Sequence, residues 1–259
     1  MDTKFVYTLS SEGTMPYDVL HSVKSLLRWV DPENIILYYT PPRLEDHARV
    51  FKDLNLDLRE VPNSTEPFPI MPFSQCGHYG EKVRVCDVHS ENAVFLDCDT
   101  LVFNDPHALL SGDFEVKVRP STVQPDSKEW REMFRHYGEE RLNWMPNAGV
   151  IVFKDATHQK IKNVWRQYLS ADLSRFFTGK GRIRLDDQWA LALAISDRDI
   201  ETMSRHEHII EWDEGIDSDS IVYHFDQKES HGITVQMLHK QPLWVLRRLY
   251  QNKIKNQFS

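Results

Sequence analysis

Cysteine is scarce: Cys76, Cys86 and Cys98 are the only three in 259 residues, and no two form a Cys-x-x-Cys pair. That excludes a disulfide framework and a structural zinc site, and a reducing cytoplasmic setting is the simplest expectation. No apolar run approaches the length needed to cross a bilayer. Phe5-Val-Tyr-Thr-Leu9 is too short for the core of a secretory signal, so the expectation is a chain without one. An excess of base is also lacking. The net charge of −8 argues against a nucleic-acid partner. There is no internal repeat and no low-complexity tract.

What is present fits one α/β domain with a single substantial core: hydrophobic residues make up 41% and charged residues 27%. The charge is uneven. Lys240, Arg247, Arg248, Lys253 and Lys255 make residues 240–259 purely basic, interleaved with Leu243, Trp244, Leu246, Leu249, Tyr250 and Ile254. This pattern predicts a basic amphipathic tail, suited either to peripheral contact with an anionic membrane or to packing on the domain itself.

The opening reads as alternating strands and helices. Lys4 to Leu9, Ile35 to Tyr39 and Leu56 to Val61 are strand-like. Val19, Leu20, Val23, Leu26, Leu27 and Val30 follow helical spacing, and a second helix is expected from Pro41 through about Leu54. Such an opening predicts right-handed crossovers and a doubly wound, mostly parallel sheet. Pro62 to Gly80 reads as an irregular connection, and Glu81 to Val88 as a short helix carrying Lys82 and Arg84. Further on, Phe114 to Arg119 reads as a half-exposed strand, Ser127 to Tyr137 as a helix and Val150 to Phe153 as a buried strand. Thr157 to Leu169 reads as an amphipathic helix, and Ile221 to Phe225 as a short late strand.

The chain is organised around Ala93-Val-Phe-Leu-Asp97-Cys-Asp99-Thr100. An apolar run of this kind is a strand buried on both faces, and its carboxyl end opens on the ligand crevice of a parallel sheet. Two carboxylates there suit Mg²⁺ or Mn²⁺ shared with substrate phosphates. Alternatively, they only cap the strand and start a turn. An EF-hand loop counted from Asp97 would need Gly where Val102 stands and Glu where Ala108 stands, so that reading fails. A haloacid-dehalogenase-type phosphatase fits poorly, because Thr100 follows the second aspartate directly and almost a hundred residues precede the motif. A sugar-nucleotide pyrophosphorylase would want a glycine-rich basic loop near residue 10, whereas Ser10-Ser-Glu-Gly-Thr14 has one glycine and no base.

Four motifs occur in order: Asp97-Cys-Asp99, Asn147-Ala-Gly149, Asp187-Gln188 opening a helix, and His224-Phe225. This set resembles glycosyltransferases of the GT-A fold, nearest to the family 8 type, and spans Phe5 to about Phe225. The resemblance implies a single-domain, Rossmann-like α/β fold over residues 1–239. Its nucleotide-binding half would be about 1–106 and its acceptor half about 107–239, with 240–259 as the tail. It implies transfer of a sugar from a nucleotide diphosphate sugar, UDP-linked, to a glycan or glycolipid acceptor with Mn²⁺ or Mg²⁺ as cofactor. Asp97, Asp99 and His224 would hold the metal, and Thr8 and Ser10 would face base and ribose. Asn147 and Asp187 would hold the donor sugar, and Gln188 would lie near the anomeric carbon. Lys82, Arg84 and Lys228 would stand near the donor. The late motif departs from the family in lacking an early Gly and a Lys-Pro-Trp. Family 8 favours retention of configuration; an inverting enzyme would need Asp186 or Asp187 as a base.

Overall fold

The computed structural model describes residues 2–9, 15–39, 51–61, 80–122, 127–139, 142–171, 173–176, 186–210, 213 and 217–224. Residues 41–50 of the helix expected from Pro41 through about Leu54, Ser10, Lys228 and the basic tail lie outside the described residues.

The architecture is α/β. Strands β1 (Thr3–Leu9) and β2 (Ile35–Tyr39) flank helix α1 (Met15–Leu26) and a 3-10 turn at Pro32–Asn34, and β3 (Asp57–Glu60) follows. A 3-10 helix, Glu81–Asp87, leads into β4 (Asn92–Leu96). Then follow β5 (Thr100–Val102), β6 (Val116–Pro120), α2 (Ser127–Tyr137), β7 (Pro146–Phe153), α3 (Thr157–Leu169) and α4 (Asp186–Ala194). Three short strands close the described chain: β8 (Ile200–Thr202), β9 (His208–Ile210) and β10 (Val222–His224). None of the described helices is long and apolar enough to cross a membrane.

The large sheet runs β3-β2-β1-β4-β7-β6-β8, and the small one β5-β10-β9. Side chains alternate across each strand, so the large sheet feeds two cores. Val6, Ile36, Phe95 and Ile151 join Trp130, Trp165 and Leu191 of α2, α3 and α4 on one face. Phe5, Tyr7, Leu37, Val94 and Val152 pack with Val19, Leu20 and Val23 of α1 on the other. Each such side chain withdrawn from water contributes about 1.5–3 kcal/mol.

The sheet is mostly parallel, but β4–β7 and β6–β7 are antiparallel. That exception positions the site. Leu96 at the end of β4 faces Val150, so the start of β7 lies beside the carboxyl end of β4. The small sheet supplies the other wall, because antiparallel pairing sets His224 opposite Thr100.

One expectation is corrected at β6. Strand β6 is interior, paired with β7 and β8, so Val116, Lys117 and Val118 are all buried and the strand is not half-exposed. Lys117 tolerates this because its ammonium meets Glu201 at 2.7 Å and Glu207 at 2.5 Å. The short helix expected over Glu81 to Val88 is present as a 3-10 helix, Glu81–Asp87.

Candidate active site

Three elements converge at the carboxyl end of β4. The Asp97-Cys98-Asp99 turn leaves β4, β7 starts with Asn147-Ala148-Gly149, and β10 ends in His224. The Asp97 N–H donates to the Gly149 carbonyl at 2.8 Å, tying the turn to β7. Thr100 Oγ1 donates to the Asp97 carbonyl at 2.8 Å and shares a hydrogen bond with Ser22 Oγ, which in turn meets the Tyr7 hydroxyl at 2.9 Å. A buried hydroxyl chain from β1 through α1 therefore fixes the turn's backbone.

His224 Nε2 lies 3.2 Å from Asp99 Oδ1 and 3.8 Å from Asp97 Oδ2. One ligand atom from each of Asp97, Asp99 and His224 lies within 4.8 Å of the others, a cluster of the size that holds one cation. Two carboxylates with an imidazole suit Mn²⁺ better than Mg²⁺, which takes oxygen donors almost exclusively. Burial disfavours the His224 imidazolium, but Asp99 and Asp97 outweigh it and raise this histidine above its ordinary range.

Lys82 adds a second cluster. Its ammonium sits 2.8 Å from Asp97 Oδ2 and 3.1 Å from Asp187 Oδ2, and 3.3 Å from the Ala148 carbonyl. Its side chain is 6% exposed and that of Asp187 4%, so this is a buried ion pair rather than a surface charge. Burial opposes the lysine's charge, but Asp97 and then Asp187 hold it well above the ordinary lysine range. Burial also raises Asp97; Lys82 pulls it down, Asp99 pushes it up and His224 pulls it down.

The remaining sequence-derived positions divide clearly. Thr8 stands at the end of β1, its carbonyl 3.1 Å from Cys98 Sγ, adjacent to the acidic turn. Asn147 Oδ1 accepts from the Gly149 N–H at 2.9 Å. Gln188 follows Asp187 on the first turn of α4, with Oε1 buried and without a hydrogen-bond partner among the described residues. Arg84 is not part of the cluster. It pairs with Glu81 at 2.8 Å and Asp87 at 3.4 Å.

Sequence reasoning passed over His208. It is fully buried on β9, and its ring lies 5.7 Å from that of His224 at an interplanar angle of 22°. Burial, then His224 and Arg119, keep it well below the ordinary histidine range. Nothing in Glu207-His208-Ile-Ile210 distinguishes it in sequence, since the contact depends on the β9–β10 pairing.

Gly149 is required by close approach. A Cβ there would fall 2.2 Å from His224 Cε1 and 2.3 Å from Nδ1. Gly149→Ala is therefore expected to displace the imidazole and weaken Mn²⁺ binding by about tenfold, the low end of the usual range for disturbing a ligand's support. Folding should survive, because β7 keeps its backbone pairing. Calorimetric Mn²⁺ titration of the folded variant checks this; unchanged affinity would show that His224 is not a ligand.

No family model matches the sequence, and no curated protein matches it significantly. Solved structures do share its fold. The galactosyltransferase LgtC, solved with donor and acceptor sugar analogues, aligns at a TM-score of 0.60 and 13% identity, covering 86% of each chain. Mouse xyloside xylosyltransferase 1 aligns at 0.56 and 11% identity, over 88% of this chain and 99% of that one. The bifunctional glycosyltransferase WbbM aligns at 0.55 and 13% identity, over 85% of this chain and 41% of that one. The fold is that of the GT-A glycosyltransferases.

Proposed function

We propose that the chain is a metal-dependent glycosyltransferase, similar to family 8, transferring a sugar from a UDP-linked donor to a glycan or glycolipid with retention of configuration. The observation that carries this is the meeting of Asp97, Asp99 and His224 beside the Lys82–Asp187 pair at the strand ends of a GT-A fold. LgtC was solved with donor and acceptor sugar analogues, which supports the same two partners here.

Asp97, Asp99 and His224 would hold Mn²⁺. Bound there, the ion supplies positive charge where the departing diphosphate develops negative charge. Thr8 and Ser10 would contact the nucleoside, and Lys228 would pair with the diphosphate. Asn147 and Asp187 orient the donor sugar by hydrogen bonds, with Gln188 beside the anomeric carbon. Lys82 acts on the donor through the two carboxylates that it neutralises and holds in place. The ion pair also favours retention over inversion, because a carboxylate bound to a buried ammonium is a poor acceptor for an acceptor proton. Peripheral membrane contact through 240–259 belongs to the same reading, for a lipid-linked acceptor.

The test is a panel of nucleotide sugars incubated with the Mn²⁺-loaded protein, following release of nucleoside diphosphate. Slow hydrolysis of at least one UDP-sugar is expected. Absence of release from every donor, with and without a panel of glycan acceptors, would overturn the proposal.

Asp187→Asn separates a sugar-binding role from a helix-start role. The amide can still accept from Lys82 but loses the charge, so turnover should fall by about 2–4 kcal/mol in transition-state free energy with UDP affinity near normal. A variant that loses stability but shows no kinetic defect in its folded fraction would assign Asp187 to the start of α4 alone.

A further inference from the structure

His224 would coordinate through Nε2, and a metal-bound histidine is ordinarily oriented by a hydrogen bond from its other ring nitrogen. Here Nδ1 of His224 is buried and has no hydrogen-bond partner among the described residues. Two described residues lie directly against the ring. Gly149 passes so close to Cε1 and Nδ1 that not even a methyl group fits between them. Against the plane of the ring lies His208, nearly parallel to it.

His208 is an odd choice for mere filling. Both of its ring nitrogens are buried without a hydrogen-bond partner among the described residues. Its backbone is unusually well anchored. Arg119 of β6 donates to the His208 carbonyl and grips both carboxylate oxygens of Asp213, while Asp213 Oδ2 accepts from the Ile210 N–H at 2.8 Å. Parallel pairing of β9 with β10 sets Val222 opposite His208 and His224 opposite Ile210, so the two imidazoles are diagonal neighbours on one face. The large sheet, through Arg119, thus fixes a flat plate against which His224 rests.

We propose that His208 is a positioning residue for His224: with Gly149 it forms a slot that aims Nε2 at Asp97 and Asp99, and this slot sets the site's affinity for a divalent cation. The inference rests on the proposed metal role of Asp97, Asp99 and His224. A flat ring at position 208 should preserve the slot, whereas a branched aliphatic side chain should fill the space yet let the imidazole tilt.

Mn²⁺ titration, read from the electron paramagnetic resonance of the free ion, compares the wild type with His208→Leu, His208→Phe and Asp99→Asn. Circular dichroism establishes that each variant is folded. His208→Leu is expected to weaken Mn²⁺ binding by about tenfold, and His208→Phe to stay within about threefold of the wild type while melting no lower. Wild-type affinity in the folded leucine variant, or an equal loss in the phenylalanine variant, would overturn the slot. If leucine does not fold, the phenylalanine variant decides alone. Absence of Mn²⁺ binding by the wild type, or wild-type affinity in Asp99→Asn, would overturn the metal site itself and the slot with it.

Discussion

Replacing Lys82 with methionine is expected to destabilise the metal-free protein by about 3–5 kcal/mol, the usual consequence of removing one partner from a buried ion pair. Methionine matches the length and apolar stem of lysine, so the change removes the charge and little else. The ammonium bridges Asp97 and Asp187, and without it two carboxylates with 19% and 4% exposed side chains are left facing each other. Asp97 already sits above the ordinary carboxylate range, chiefly through burial, with Lys82 the strongest opposing influence. Loss of Lys82 leaves burial and Asp99 against the weaker pull of His224, so its folded pKa rises further.

The sign of the pH dependence follows. A carboxyl whose folded pKa exceeds its unfolded value leaves the folded state with more bound protons, so stability is full below the unfolded value near about 4. That stability is lost as pH rises through the folded pKa. The variant's deficit should therefore widen from pH 4 upward. Urea unfolding of both proteins in EDTA at pH 5 and pH 8 measures it. A deficit below about 1 kcal/mol at pH 8, the scale of an exposed pair, would show that the three side chains do not share a buried cluster.

Much of this arrangement was legible in the sequence. Apolar runs at Phe5, Ile35 and Ala93 mark the central strands because burial on both faces demands unbroken hydrophobicity. Thr157–Leu169 is helical over the range its periodicity predicts. Asp97, Asp99 and His224 stand in the motif order that the family resemblance expects, and the structure brings them together although the last two lie 125 positions apart. What escaped the sequence depends on pairing. The antiparallel run of β7 carries no signal in Pro146–Phe153, since a doubly buried strand reads alike in either direction. Lys82 reads as a solvated cation until the Asp97 and Asp187 carboxylates are placed on either side of it. Strand β6 alternates like a half-exposed strand because Lys117 is charged, yet two glutamates from β8 and the β8–β9 connection make its burial tolerable.

Removal of the metal should have the largest effect on turnover. Treatment with EDTA is expected to take nucleoside diphosphate release below detection, and Mn²⁺ to restore it. Asp99→Asn should lose turnover by about 10³-fold, or about 4 kcal/mol of transition-state stabilisation, while remaining folded in EDTA. Asparagine keeps the shape of Asp99 and its contact with the His224 ring but withdraws one of the two negative charges that attract a divalent cation. Asp99 and Asp97 outweigh burial and raise His224 above its ordinary range, so below that raised pKa a proton competes with a cation for the same place. On the proposed metal role, Mn²⁺ would displace that proton. Affinity should therefore climb as pH rises toward the His224 pKa and level off above it, and the plateau should be reached at lower pH in Asp99→Asn, where one of the stabilising carboxylates is gone. Calorimetric Mn²⁺ titrations of both proteins from pH 5.5 to pH 8.5 test the climb, and turnover with and without EDTA tests the requirement. Full turnover by metal-stripped protein would sink the metal role of all three side chains, and a flat pH profile would sink the competition between proton and cation at His224.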